Sequence, residues 1–271
     1  MAWSRVWHIT VLGCVFFLAA CQGMPSGSTS TEGEATGLMT EQRTLTVAAA
    51  ASLTESMEAV KASYEAAHPE VNIVYNFDSS GTLRTQLESG ADFDVFVSAS
   101  RAHMDGLNDE GLIATDTIKN MLSNEVVLAV RSDLKGVRHF EDLLHPDVKR
   151  IGLGNSDVPV GRYAIDLLNH LGIYDRLQDK VSWGSNAKEI TQWVKEGTVD
   201  AAVLYHTDAN VEDLTVVDTA GSADLTEPIV YPVAVVKTST QADVAQAFVD
   251  YLFESQSRAV FEQFGFTTLD N

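Results

Sequence analysis

Four short turns carry the residues whose types and spacing could do chemistry. Ser52 follows the alternating stretch Thr44-Leu45-Thr46-Val47-Ala48-Ala49-Ala50-Ala51, and Ser79-Ser80-Gly81-Thr82 follows a second strand-like run. Val158-Pro159-Val160-Gly161 and Asn186-Ala187 each open a helical pattern. A turn from strand to helix leaves backbone N–H groups without intrahelical acceptors, adds partial positive charge from the helix dipole and, where Ser is present, a hydroxyl. Four such turns facing one another would bind an anion. Three of them also have a simpler use, because Ser52, Ser80 and Asn186 can cap their own helices, and Ser52 with Glu55 has the spacing of a capping box.

Motifs of catalysis are missing. The sequence has no Gly-x-x-x-x-Gly-Lys phosphate loop, no Gly-x-Gly-x-x-Gly fingerprint, no His-Glu-x-x-His and no Gly-x-Ser-x-Gly elbow. Its histidines, at 8, 68, 103, 139, 145, 170 and 206, include no pair at the i, i+4 spacing of a helical metal site. A triad needs only proximity in space, so Ser52 or Ser80 with His206 and an Asp keeps a surface-anchored serine hydrolase as the alternative from another class.

These turns must be positioned by the elements around them. The patterns predict strands over 44–51, 71–77, 94–99, 125–130, 150–153, 201–205 and 229–236, and helices from Ser52 to Ala67 and over 82–89, 161–171, 188–196 and 242–264. Strand and helix alternate, so the class is α/β with mainly parallel sheets. Two long apolar strands, 125–130 and 229–236, suit two lobes joined by two crossings, although one large doubly wound sheet would alternate in the same way.

The 271 residues carry 38 acidic against 18 basic side chains, a formal charge of −20, which repels phosphate backbones; no run of Lys or Arg offsets it, so nucleic acid is excluded as the expected partner. Arg5 and the apolar run Val11–Leu18 read as an export signal too short to span a bilayer. It ends Leu18-Ala19-Ala20-Cys21, which resembles the bacterial lipobox, so residues 1–20 are expected to be removed and Cys21 to carry lipid. Residues 21–42, rich in Gly, Ser, Thr and Glu, form the expected flexible linker.

Five ordered motifs tie the body to a family. Ala49-Ala50-Ala51-Ser52-Leu53-Thr54, Phe77-x-Ser79-Ser80-x-Thr82-Leu83, Val158-Pro159-x-Gly161-x-Tyr163-Ala164, Val203-x-Tyr205-x-x-Asp208-Ala209 and Tyr231-Pro232-Val233-Ala234-Val235-Val236, with Gly265-Phe266-Thr267 near the end, resemble the molybdate-binding proteins of bacterial ABC importers, the ModA family. The resemblance covers about residues 44–267. It implies a two-lobe, type II periplasmic-binding-protein fold with the ligand in the cleft, lobe I from 43–124 and 235–271, and lobe II from 125–234. It further implies an exported protein, facing the periplasm or cell exterior, that performs no chemistry and uses no cofactor. Such a protein, expected as a monomer, would hand molybdate or tungstate to an ABC permease and its ATPase.

The same resemblance implies the ligand set. Ser52 and Ser80 match serines that give hydroxyl and N–H, Val160 and Ala187 match positions that donate backbone N–H, and Tyr205 matches the tyrosine whose hydroxyl completes the shell. A dianion held by neutral donors alone needs many hydrogen bonds, since each buried oxygen loses its water. Size would then exclude sulfate, and a shell without acceptors would exclude protonated phosphate. Gly81 departs from the family, standing where a serine is common, and Asp78, Arg84 and Arg162 flank the turns. An arginine turned inward would shift the preference to another oxyanion, such as sulfate or phosphate. Ferric ion would ask for adjacent tyrosines, and Tyr205 stands alone in its motif.

Overall fold

The computed structural model describes residues 42–221 and 223–270, so the expected signal, Cys21 and all but the last residue of the linker lie outside the described residues. Strand β1 (Arg43–Ala50) passes through a 3-10 turn (Ala51–Leu53) into α1 (Thr54–Ala67). Then come β2 (Val71–Asp78), α2 (Ser80–Glu88), β3 (Val95–Val97), α3 (Arg101–Asp109) and β4 (Lys119–Ser123). The chain next enters β5 (Val126–Arg131), β6 (Ile151–Gly154), α4 (Pro159–His170), α5 (Tyr174–Leu177), β7 (Val181–Gly184), α6 (Ala187–Lys195), β8 (Ala201–Tyr205), α7 (His206–Ala209) and β9 (Leu214–Thr219). It returns through β10 (Val230–Val235), α8 (Ala242–Tyr251), α9 (Ser255–Gln263) and β11 (Thr267–Thr268).

Two sheets result, ordered β11-β4-β10-β3-β1-β2 and β7-β6-β8-β5-β9. The runs that read as continuously apolar, β5, β8 and β10, are buried almost end to end because both faces of their sheets are covered. Direction follows from the crossings. Strands β1, β3, β6 and β8 run toward the cleft, where their following turns lie. A strand that has just arrived from the other lobe starts at the cleft and must run the opposite way. β10 is accordingly antiparallel to β3 and β4, and β5 to β8 and β9. The sheets are therefore mixed, with four strands of each sharing one direction.

Several boundaries differ from expectation. The return crossing lies between Thr219 and Val230, so residues 230–234 belong to the first sheet and not to lobe II. The helix expected over 242–264 is two helices, because the chain turns extended at Glu254 (φ −68°, ψ 153°). Its halves bury against different elements, α8 on β10 and α9 on α1 and β11, which one straight helix could not do. Strands β4, β7, β9 and β11 and helix α3 gave no clear pattern. Each buries few residues: two of five in β4, only Gly184 in β7, where Trp183 is exposed, and only Met104 and Leu107 in α3. Pro232 sits inside central strand β10, where it cannot donate to the ladder, and the register with β4 shifts between Tyr231 and Pro232.

Candidate functional site

The five candidate positions are all buried: Ser52, Ser80, Val160, Ala187 and Tyr205. Ser52 lies in the 3-10 turn after β1, and the capping box expected with Glu55 does not form. Helix α1 starts at Thr54 without a side-chain cap, the Ser52 hydroxyl is 3.2 Å from Tyr231 Oη, and Glu55 pairs with Lys188 at 2.6 Å. Ser80 also escapes capping duty, because its neighbour Ser79 takes it by accepting from the Thr82 N–H at 3.1 Å. The Ser80 hydroxyl instead accepts from the Ala99 N–H at 2.9 Å. Asn186 is the one residue of the three that does cap, accepting from the Glu189 N–H at 3.0 Å.

In the second lobe the candidate donors are main-chain groups. Helix α4 opens at Pro159, which brings no N–H, and the N–H groups of Gly161 and Arg162 turn back to the Val158 carbonyl. The Val160 N–H, between Pro159 and Gly161, stands too early in the helix to have an i−4 acceptor within it. Ala187 opens α6 in the same situation. Gly161 has a local reason: a Cβ there would strike the carbonyl of Gly154, so only glycine lets the start of α4 sit against the end of β6.

Tyr205, the last residue of β8, joins the two halves. Its hydroxyl donates to the Ala99 carbonyl at 3.4 Å, so Ser80 and Tyr205, from different lobes, meet on one residue. Its ring lies 5.7 Å from that of Tyr231 and 6.5 Å from that of Tyr163 on α4. The Tyr231 hydroxyl, within reach of Ser52, also receives a hydrogen bond from Asn124 Nδ2 at 3.2 Å, and Asn124 donates to Thr207 Oγ1 at 2.9 Å. A second interlobe contact closes the other side: the Gly81 N–H donates to the Asp157 carbonyl at 3.1 Å. Here the departure at Gly81 acquires a use, because a Cβ would fall 2.5 Å from that carbonyl oxygen.

Among the described residues, the cations that flank these turns are paired or exposed. Arg84 is held by Glu88 and Glu110, Arg162 is exposed, and Lys188 lies between Glu55 and Asp208. Asp78 keeps to its own turn, accepting from the Ser79 N–H at 2.7 Å. Burial pushes the Tyr205 and Tyr231 hydroxyls far above the ordinary tyrosine range, so both remain protonated donors. Burial, with Arg162 and Arg84 nearby, lowers His103 to about 4, so it is neutral at physiological pH. Tyr231, Asn124, Ala99, Lys188 and Asp208 were not expected as site residues. Tyr231 and Asp208 lie within quoted motifs, but their partners are distant in sequence. No cluster of three or more His, Cys, Asp or Glu fit to hold a metal ion occurs among the described residues. The partners of the Ser52 and Ser80 hydroxyls are a tyrosine and a backbone N–H, and neither includes a histidine among the described residues.

Known proteins resemble this chain in sequence and in fold. The profile of the family described as bacterial extracellular solute-binding protein matches residues 45–267. The molybdate-binding protein ModA of Haemophilus influenzae is 31% identical over 229 residues, covering 82% of this chain and 89% of its own. The chain belongs to the ModA family. This ModA-family chain is also 35% identical over 262 residues, 96% of each protein, to YvgL of Bacillus subtilis, provisionally named as an ABC transporter substrate-binding lipoprotein. Among solved structures, the substrate-binding domain of a provisionally named molybdenum ABC transporter from Clostridium difficile aligns with a TM-score of 0.66 and 34% identity, over 84% of this chain and all of that one. The ModA-family fold is the two-lobe α/β fold of extracytoplasmic solute-binding proteins, and the chain is a substrate-binding protein of an ABC transporter.

Proposed function

We propose that the protein binds molybdate, and tungstate with it, in the cleft between its sheets and delivers the anion to an ABC permease. The observation that carries this reading is the convergence at Ala99 and Tyr231. Ser80 and Tyr205 come from opposite lobes to one residue, and Ser52 joins through Tyr231, all as neutral hydroxyls. The ligand set is Ser52, Ser80 and Tyr205 by hydroxyl, with backbone N–H donors at Ser52, Ser80, Val160 and Ala187. Hydroxyls whose pKa is far above neutrality, with helix N-termini behind them, suit a dianion that accepts from every side. The same shell gives protonated phosphate no acceptor, and rigid donors fitted to a large tetrahedron do not close on sulfate. The two most informative relatives support the ligand, since one is named for molybdate and the other comes from a transporter named for molybdenum.

Isothermal titration of the chain from Thr40 onward, a single compact unit, tests it. Tight one-to-one binding of molybdate and tungstate, with no heat from sulfate or phosphate, is the expected result. Binding of sulfate or phosphate in preference would overturn the molybdate reading. The protein is further proposed to act as a monomer anchored through lipid on Cys21. Replacement Cys21→Ser is expected to release it from membranes and abolish incorporation of labelled palmitate.

A further inference from the structure

Lys188 makes the one ion pair that links the two lobes among the described residues. It is the second residue of α6, directly after Ala187, and its Nζ lies 2.6 Å from Glu55 Oε2 and 3.0 Å from Asp208 Oδ1. The two carboxylates differ in kind. Asp208, on α7 of the same lobe as Lys188, is fully buried, and apart from the Lys188 ammonium neither of its oxygens has a hydrogen-bond donor among the described residues. Lys188 is thus its counter-charge and is held in place by it. Glu55 belongs to α1 of the other lobe, its side chain is 56% exposed, and it stands three residues after Ser52. Burial alone would lower the lysine pKa, but Asp208 and Glu55 raise it above the ordinary value, so the ammonium stays charged.

We propose that Lys188 is a positioning residue that latches the closed cleft: anchored to its own lobe by Asp208, it captures Glu55 only when the lobes meet. The pair then ties the start of α6, with the Ala187 donor, to the start of α1 beside Ser52. Because two carboxylates share the ammonium, its charge is committed and is not offered to the bound anion. The latch therefore acts on how long the cleft stays shut and leaves the choice of anion to the neutral donors. In its effect on ligand release it rests on the ligand reading above; its effect on closure does not.

Glu55→Gln is the variant to use, since it removes an exposed charge, whereas Lys188→Met would strand the buried Asp208 carboxylate and threaten folding. The protein from Thr40 onward contains no cysteine, so Val74→Cys and Trp183→Cys place one label on each lobe at exposed edge-strand positions. The distance between the labels is then measured with and without molybdate, at low and high salt. The expected result is a shift of the ligand-free population toward open in Glu55→Gln. High salt should produce the same shift in the parent but none in the variant. Molybdate dissociation should be about fivefold faster in the variant, with association within about twofold. Identical distance distributions for parent and variant at low salt would overturn the latch. A shift in distances in a protein that does not bind molybdate would uphold the latch and sink the ligand reading instead.

Discussion

Single hydroxyls carry the binding reading, and their removal tests it one at a time. A hydrogen bond to a charged group contributes about 1.5–3 kcal/mol, so Ser52→Ala and Tyr205→Phe should each weaken molybdate binding roughly 10- to 100-fold by titration. Tyr231→Phe should weaken it less, because in the proposed site Tyr231 would reach the anion only through Ser52, whose hydroxyl lies 3.2 Å from its own. Val160→Ala should leave affinity within about twofold, since its contact is a backbone one. Unchanged affinity in both Ser52→Ala and Tyr205→Phe would remove these residues from the site. Ser52, Ser80 and Tyr205 could be singled out as candidates in the sequence because a hydroxyl at a strand end or turn inside an ordered motif announces itself locally. Tyr231 could not, since its meaning comes from Ser52, 179 residues away. Lys188 and Asp208 were hidden for the same reason. A lysine in the first turn of a helix reads as solvated, and only the packed structure shows it between two carboxylates.

Helices and strands decide how closely the donors can meet. The N-terminus of α2 touches the loop before α4 at Gly81, whose N–H reaches the Asp157 carbonyl. Gly81→Ala would put a methyl group 2.5 Å from that oxygen and 2.9 Å from Asp157 Cβ, holding the lobes apart. Affinity for molybdate should fall about tenfold, while the melting temperature of the ligand-free protein stays within a few degrees. A variant that binds as tightly as the parent would show that the contact does not limit closure. The alternation of β1, α1, β2 and α2 was readable because each element is long and buries a regular face. The edge strands β7 and β9 were not, because they are partly exposed and their side chains obey no period. The capping-box reading failed because a tertiary partner competed for each of its residues, Tyr231 for Ser52 and Lys188 for Glu55.

At the scale of the whole molecule, the interior between the sheets is a chain of rings. Tyr163, Tyr205, Tyr231, Phe266 and Phe261 follow one another with neighbouring centroids 5.5–6.5 Å apart, running from α4 of the second lobe to α9 beneath the first. Three of these are tyrosines whose hydroxyls burial holds above their ordinary value of 10.0. A group with a raised folded pKa contributes stability that is fully present below its unfolded pKa and is lost as pH rises toward the folded one. Lys188, also raised, adds loss in the same direction above its ordinary 10.5. Unfolding free energy from urea titrations should therefore be level between about pH 7 and pH 9 and fall steeply above about pH 10. Tyr205→Phe should make that fall shallower, and an equal slope in parent and variant would contradict it. The two-sheet layout was anticipated from two long apolar strands, but the exact return point was not, because Val230–Val235 is equally apolar whichever sheet receives it.

The placement of β10 between β3 and β4 also sets an order of assembly. The five-stranded sheet uses only residues 126–219, a continuous stretch, whereas the six-stranded sheet has a gap in its middle until residues 230–235 arrive. In a chain that emerges from a secretion pore amino end first, the lobe encoded later is the first that can be completed. Until then β3 and β4 present unpaired edges to whatever surrounds the nascent protein, so the earliest-made half of the molecule is the last to be sealed.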